Sequence, residues 1–156
     1  VRILTLWEPW ASLMAYGVKE TETRSWRTSY RGRVAIHAAQ YSKEIGRTAE
    51  LFAGGGKGWI GDKLAKRPRK DWALGYVIAV GDLFAIHPTS QALVTPRERL
   101  LGDYTAGRYA WHFRDVVRID PRKWKGAQGL RRLPFGFAEE LIYLHQKELA
   151  ERSPFR

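Results

Sequence analysis

A chain of 156 residues is the size of one ordinary domain, long enough for a real core and short for two. Its 27 Lys and Arg against 16 Asp and Glu give a formal net charge of +11, a field that attracts polyanions before any specific contact forms and makes nucleic acid the leading partner class. Cysteine is absent, which excludes disulfides, CxxC redox chemistry and thiolate zinc sites, and no apolar run approaches the roughly 18 residues of a membrane span, so a soluble, cytoplasmic protein with no membrane partner is expected.

In chain order, Ile3 to Leu6 reads as a short strand. Pro9 suits the first turn of a helix that runs through Leu13 and Met14 and stops at Gly17. From Lys19 to Trp26, polar residues alternate with β-branched Thr, which favours a strand. Tyr30 to Arg33 forms a turn and Val34 to Ala39 a buried strand, and Ser42 can cap a helix over 43–52. The stretch 54–75 carries six basic residues among glycines and reads as a long insertion.

Tyr76 to Ile86 is the strongest strand, with Gly81 marking a bend or bulge. Thr95-Pro96-Arg97-Glu98 is a capping box with Pro at the first helical position, so a short helix should end near Gly102. Tyr109 to Ile119 alternates as a strand, with Tyr109, Trp111 and Phe113 on one face, and a basic loop over 120–129 follows. Leu141, Tyr143, Leu144 and Leu149 predict an amphipathic C-terminal helix over about 138–151. About five strands with glycine corners and three or four helices make an α+β chain on a small mixed β-barrel, read as a single domain over 1–156.

Seven Trp is a high load for this length, and Trp offers both an apolar face and a polar N–H. Trp10, Trp26 and Trp111 are the candidates for stacking on bases; Trp7 and Trp72 belong to the core or have no assignment. On a strand starting near Glu20, the two-residue period sends Glu22, Arg24 and Trp26 to one face, with Lys19 just before it. Converging Lys and Arg suit phosphate or base-edge contacts, and a carboxylate beside them can orient the Arg or accept from an exocyclic amine. Arg27, Arg31, Arg33, Arg108, Arg122, Lys123 and Lys125 are candidates for a phosphate-tracking surface, although a charge run also serves as a plain solvated face. For a nuclease, His37, His87, His112 and Lys19 supply acid and base groups without a recognisable pairing; His37 also reads as a hydrogen-bonded strand residue near the core. No His, Asp and Glu cluster has metal-ligand spacing and no cofactor motif stands out; Gly54-Gly55-Gly56-Lys57-Gly58 lacks the Ser or Thr of a phosphate loop.

The block from Leu4 to Ala39 resembles the opening of an ASCH domain, a family of the PUA-like barrels. Gly17, Lys19, Glu22 and Arg24 fill its G-x-K-x-x-E-x-R signature; Pro9-Trp10-Ala11 before it, Ser25-Trp26 after it and Arg31-Gly32-Arg33 also match. Gly75 to Leu83 resembles the family's central strand. The resemblance implies a cleft beside the signature whose ligands are RNA, DNA or modified nucleosides. It also implies two kinds of activity. Some members are described as ribonucleases, and very short bacterial members hydrolyse acetylated cytidine using a Lys at the signature position, a Thr three residues later and a distant Glu. Here Lys19 is kept, but Glu22 stands at the Thr position. The first expectation is a nucleic-acid-binding module whose Lys19→Ala variant keeps its fold and loses affinity. The second is an enzyme with Lys19 as its catalytic group, and the third is an adaptor for another protein.

Overall fold

A computed structural model describes residues 1–42, 45, 64 and 66–152 of the chain. Six strands form one mixed sheet: β1 (Arg2–Leu6), β2 (Thr21–Arg24), β3 (Gly32–Ala38), β4 (Tyr76–Pro88), β5 (Tyr109–Lys123) and β6 (Leu130–Arg132), in the order β2-β5-β4-β3-β1-β6. Three α-helices accompany them among the described residues: α1 (Trp10–Ala15), α2 (Pro96–Leu100) and α3 (Phe135–Arg152). β1 runs parallel to β3, and every other pairing is antiparallel. The sheet curls into a half-barrel, the α+β architecture of the PUA-like folds.

The curl comes from the long β4–β5 pair, whose register shifts at Val77/Ala79, Val80/Asp82 and Leu83/Ala85. Each irregularity bends the strand and increases its twist. Gly81 falls at the second shift, and a Cβ there would meet Val116 Cγ2 at 2.6 Å, so the bend expected from sequence occurs where only glycine lets the two strands close up.

One side of the sheet packs α1 into a cluster containing Leu4, Leu6, Met14, Ile36, Leu83 and Trp111. The other side packs α3 against Ile3, Ala35, Val77, Val80 and Ile119. α3 buries Ala138, Leu141 and His145, a stripe at helical spacing. Leu144 is only partly buried and Tyr143 is exposed, so the expected apolar stripe is displaced onto a histidine. His145 fits there because both ring nitrogens are paired: Arg33 Nε donates to Nδ1 at 3.1 Å, and Nε2 donates to the Asp115 carbonyl at 2.8 Å.

The strand β5 extends to Lys123, so Arg122 and Lys123 are strand residues opposite Val77 and Tyr76 rather than part of a loop. β6 was not expected: three residues carry too little pattern, and their pairing with Arg2, Ile3 and Leu4 supplies the reason for the strand. Apart from Ile45, the expected helix over 43–52 lies outside the described residues, as does half of the basic insertion at 54–75. Within the rest of that stretch, Arg69–Asp71 is a 3-10 turn and Trp72 is buried beside Leu13, Leu64 and Leu101. Among the described residues, no helix is long and apolar enough to cross a membrane.

Candidate functional site

Two cavities of about 480 and 300 Å³ share Trp10, Glu22, Thr23 and Arg108 in their walls and form one cleft. It lies between the end of β1 and β2, with Thr5, Leu6 and Trp7 on one side and Glu22 to Trp26 on the other. β1 and β2 are not neighbours in the sheet, so the cleft occupies the seam where the half-barrel does not close. The seam is bridged by a side chain: Arg24 Nη2 donates to the Thr5 carbonyl at 2.9 Å.

Trp10, Glu22, Arg24, Trp26 and Arg108 therefore meet in one place. Among the described residues, the buried Arg24 Nε has no hydrogen-bond partner, an arrangement that costs about 1–3 kcal/mol unless an acceptor arrives. Glu22 turns one carboxylate oxygen to its neighbour's Thr23 N–H at 2.8 Å. Arg108 is held by the Asp103 carbonyl at 3.1 Å, the Thr23 carbonyl at 3.3 Å and the Asp103 carboxylate at 3.4 Å. Hydrogen bonds from the Thr105 hydroxyl and N–H, with Arg108 nearby, hold the Asp103 carboxyl below its ordinary range.

Trp7 was not selected from the sequence, yet it is 44% exposed and lines the cleft. It follows the last inward residue of β1 and precedes α1, so neither periodicity claims it; a Trp at such a junction is the signal that could have found it. Trp111 departs from its expected role. It is completely buried, meets Trp26 edge to face at 4.7 Å, and donates its indole N–H to the Trp26 carbonyl at 3.2 Å. It supports the wall and presents no open face for stacking.

Lys19 also departs from expectation. It is 1% exposed, and its Nζ donates to the carbonyls of Thr21 and Leu101, both at 2.6 Å, with the Trp10 ring centroid 5.8 Å away. The signature lysine thus ties β2 to the end of α2 and does not line the cleft. Glu98 works with it: Thr95 Oγ1 caps the helix by accepting from Glu98 N–H at 3.1 Å, but the Glu98 carboxylate does not return to close the box. It accepts instead from the N–H groups of Glu20 and Thr21 at 3.0 to 3.2 Å.

The remaining basic candidates divide. Arg33 and Arg122 serve α3, through His145 and through Glu140 at 2.6 Å. Arg31 folds back on the Thr28 and Tyr30 carbonyls. Arg27, Lys123 and Lys125 are exposed outside the cleft walls. His37 is buried in β3, between Thr5 Oγ1 at 3.3 Å and the Trp124 carbonyl at 2.8 Å, and burial keeps its imidazole below the ordinary value. His87 and His112 lie 5.1 Å apart, ring to ring, away from the cleft.

An α+β half-barrel with an aromatic and cationic cleft beside a G-x-K-x-x-E-x-R strand defines the class as PUA-like. Within that class, the profile of the ASCH domain family matches residues 4–121, and the chain belongs to that family, which is associated with RNA and other nucleic-acid binding. Activating signal cointegrator 1 of Homo sapiens is 42% identical over 50 residues, and that of Mus musculus 51%. These matches cover 32% of this chain and only 9% of either relative. Crystal structures of an ASCH protein from Zymomonas mobilis share the fold at 16% identity, with a TM-score of 0.54 over 92% of this chain and 94% of that one. A point mutant of the same protein gives 18% and 0.52.

Proposed function

We propose that the cleft holds one nucleotide of RNA or DNA, and that the chain is a nucleic-acid-binding module. The observation that carries this reading is the buried, unpaired Arg24 Nε in a cleft that also contains Trp7, Trp10 and Trp26. A guanidinium N–H lacking an acceptor suits a phosphate or base oxygen, indole faces suit a base, and Glu22 suits an exocyclic amine. The net charge of +11 draws the strand in.

The test is titration of wild type and Arg24→Gln with labelled single- and double-stranded RNA and DNA at two salt concentrations, with the same mixtures run on a gel. Binding that weakens with salt and falls about tenfold in the variant supports the module. Cleavage that disappears in Glu22→Gln makes the chain an enzyme instead. Neither binding nor cleavage overturns the reading and leaves a free nucleoside or a protein as the ligand.

A further inference from the structure

On the opposite face of α1 from Trp10, a second cavity of about 590 Å³ shares no lining residue with the cleft. Ser12 and Ala15 of α1, with Tyr16 just after it, form one wall, and Arg67 and Arg118 enter from other segments. Both guanidiniums converge on one phenol. Arg67 Nη2 donates to Tyr16 Oη at 2.9 Å, and the Arg67 and Arg118 Cζ atoms lie 5.7 and 4.2 Å from the Tyr16 ring centroid. Among the described residues, neither guanidinium has a carboxylate within ion-pair distance. Both cations bear on one phenol, and an anion seated between them would be attracted by both. Burial raises the Tyr16 phenol, but the hydrogen bonds and charges of the two arginines outweigh it and bring the phenol below its ordinary value.

The rest of the wall limits the anion. Asp71, Asp120 and Glu148 also line the cavity; they oppose any anionic group not seated on the two arginines and accept from hydroxyl or amine groups. At the same site Glu8 is completely buried, accepting from Ser12 N–H at 2.9 Å and Ser12 Oγ at 2.8 Å. Burial pushes its carboxyl up to about 7, against the pull of the Ser12 bonds and Arg67, so near neutral pH it carries less negative charge toward the cavity than an ordinary carboxylate. The volume lies in the range of small-molecule sites.

We propose that this cavity is a second ligand site, taking the phosphate of a mononucleotide-sized phosphomonoester on Arg67 and Arg118, with the carboxylates receiving its hydroxyl or amine groups. The site is independent of the cleft.

The test is calorimetric titration of the full chain with inorganic phosphate, uridine 5′-monophosphate and uridine, for wild type, Arg67→Gln, Arg118→Gln and Arg24→Gln. Expected are a saturable nucleotide-binding event that persists in Arg24→Gln, where the cleft no longer contributes, and that either cavity variant weakens about tenfold, with uridine at least about tenfold weaker at that site. Inorganic phosphate binding as well as the nucleotide assigns the affinity to the phosphate alone; nucleotide binding tighter than phosphate shows that the carboxylates contribute. If Arg118→Gln does not fold, Arg118→Lys, which keeps the charge and loses the planar fork, is expected to weaken binding by several-fold. Equal responses in wild type and both cavity variants, or no response to phosphate or nucleotide, overturn the site. An oligonucleotide that loses affinity in Arg118→Gln while the nucleotide gives no signal also overturns it, by placing the arginines on the path of a strand.

Discussion

The two cations of the signature, five residues apart, sit in opposite surroundings. Around Lys19 the structure is closed: its ammonium reaches two carbonyls, and Glu98 accepts from two backbone N–H groups beside it. Around Arg24 the structure is open: one nitrogen bridges to Thr5, another has no partner, and three indoles share the space. A motif written as one line of sequence therefore divides into a part that builds the cleft and a part that faces it. Buried polar groups that are fully paired rigidify a fold, whereas one left unpaired marks where a ligand can improve matters.

The sharpest way to break this comparison is Lys19→Ala. It leaves two buried carbonyls and a cavity, and a loss of about 3–5 kcal/mol in urea unfolding is expected; a variant as stable as wild type that binds no nucleic acid would move Lys19 to the open side. Next is Glu8, a buried carboxyl with no cation within ion-pair distance among the described residues. Its folded pKa of about 7 lies above the ordinary 4.5, so the native state holds a proton the unfolded chain releases. The associated stability is complete below about pH 4.5 and is lost as pH rises toward 7, on the order of 3 kcal/mol in all. Glu8→Gln keeps the Ser12 N–H bond on its amide oxygen, reverses the hydroxyl bond so that its NH2 donates to Ser12 Oγ, and should flatten that part of the stability profile. Glu98→Ala, which orphans the N–H groups of Glu20 and Thr21, should cost about 2 kcal/mol in the same assay.

On the open side the signs reverse. Trp7→Ala should leave the unfolding midpoint within error of wild type and weaken oligonucleotide binding by about 1–2 kcal/mol. The smallest effect belongs to His145. Burial holds its imidazole below the ordinary 6.5, so the stability it lends is complete above pH 6.5 and declines as pH falls through the depressed value. Protonated Nδ1 can no longer accept from Arg33. Faster hydrogen exchange in α3 at mildly acidic pH, absent in His145→Gln, is the measurement.

Much of this was legible beforehand where short-range chemistry decides. Pro9 and Gly17 bracket α1, Thr95 caps α2, and Gly81 marks the bend in β4. The meeting of Trp10, Glu22, Arg24, Trp26 and Arg108 was legible only in part, because Arg108 reaches the site through a pairing of β2 with β5 that no local pattern reveals. The burial of Lys19 was hidden for the same reason: its partner Leu101 is 82 residues away in sequence. Arg33 and Arg122 looked like nucleic-acid contacts because charge counts do not distinguish a solvated guanidinium from one held by a helix 18 or 112 residues on.

Arg24 also does what a missing strand pairing would do. Its bond to the Thr5 carbonyl is a staple across the two lips of an unclosed barrel, one arm of the guanidinium holding the lips while another waits for a guest. An acceptor that captures the free N–H pulls on the same rigid plane that grips β1. Occupancy and gape are therefore geared together, and the β1–β3 amides on the side of Thr5 away from the cleft should report a bound nucleotide by a change in exchange rate.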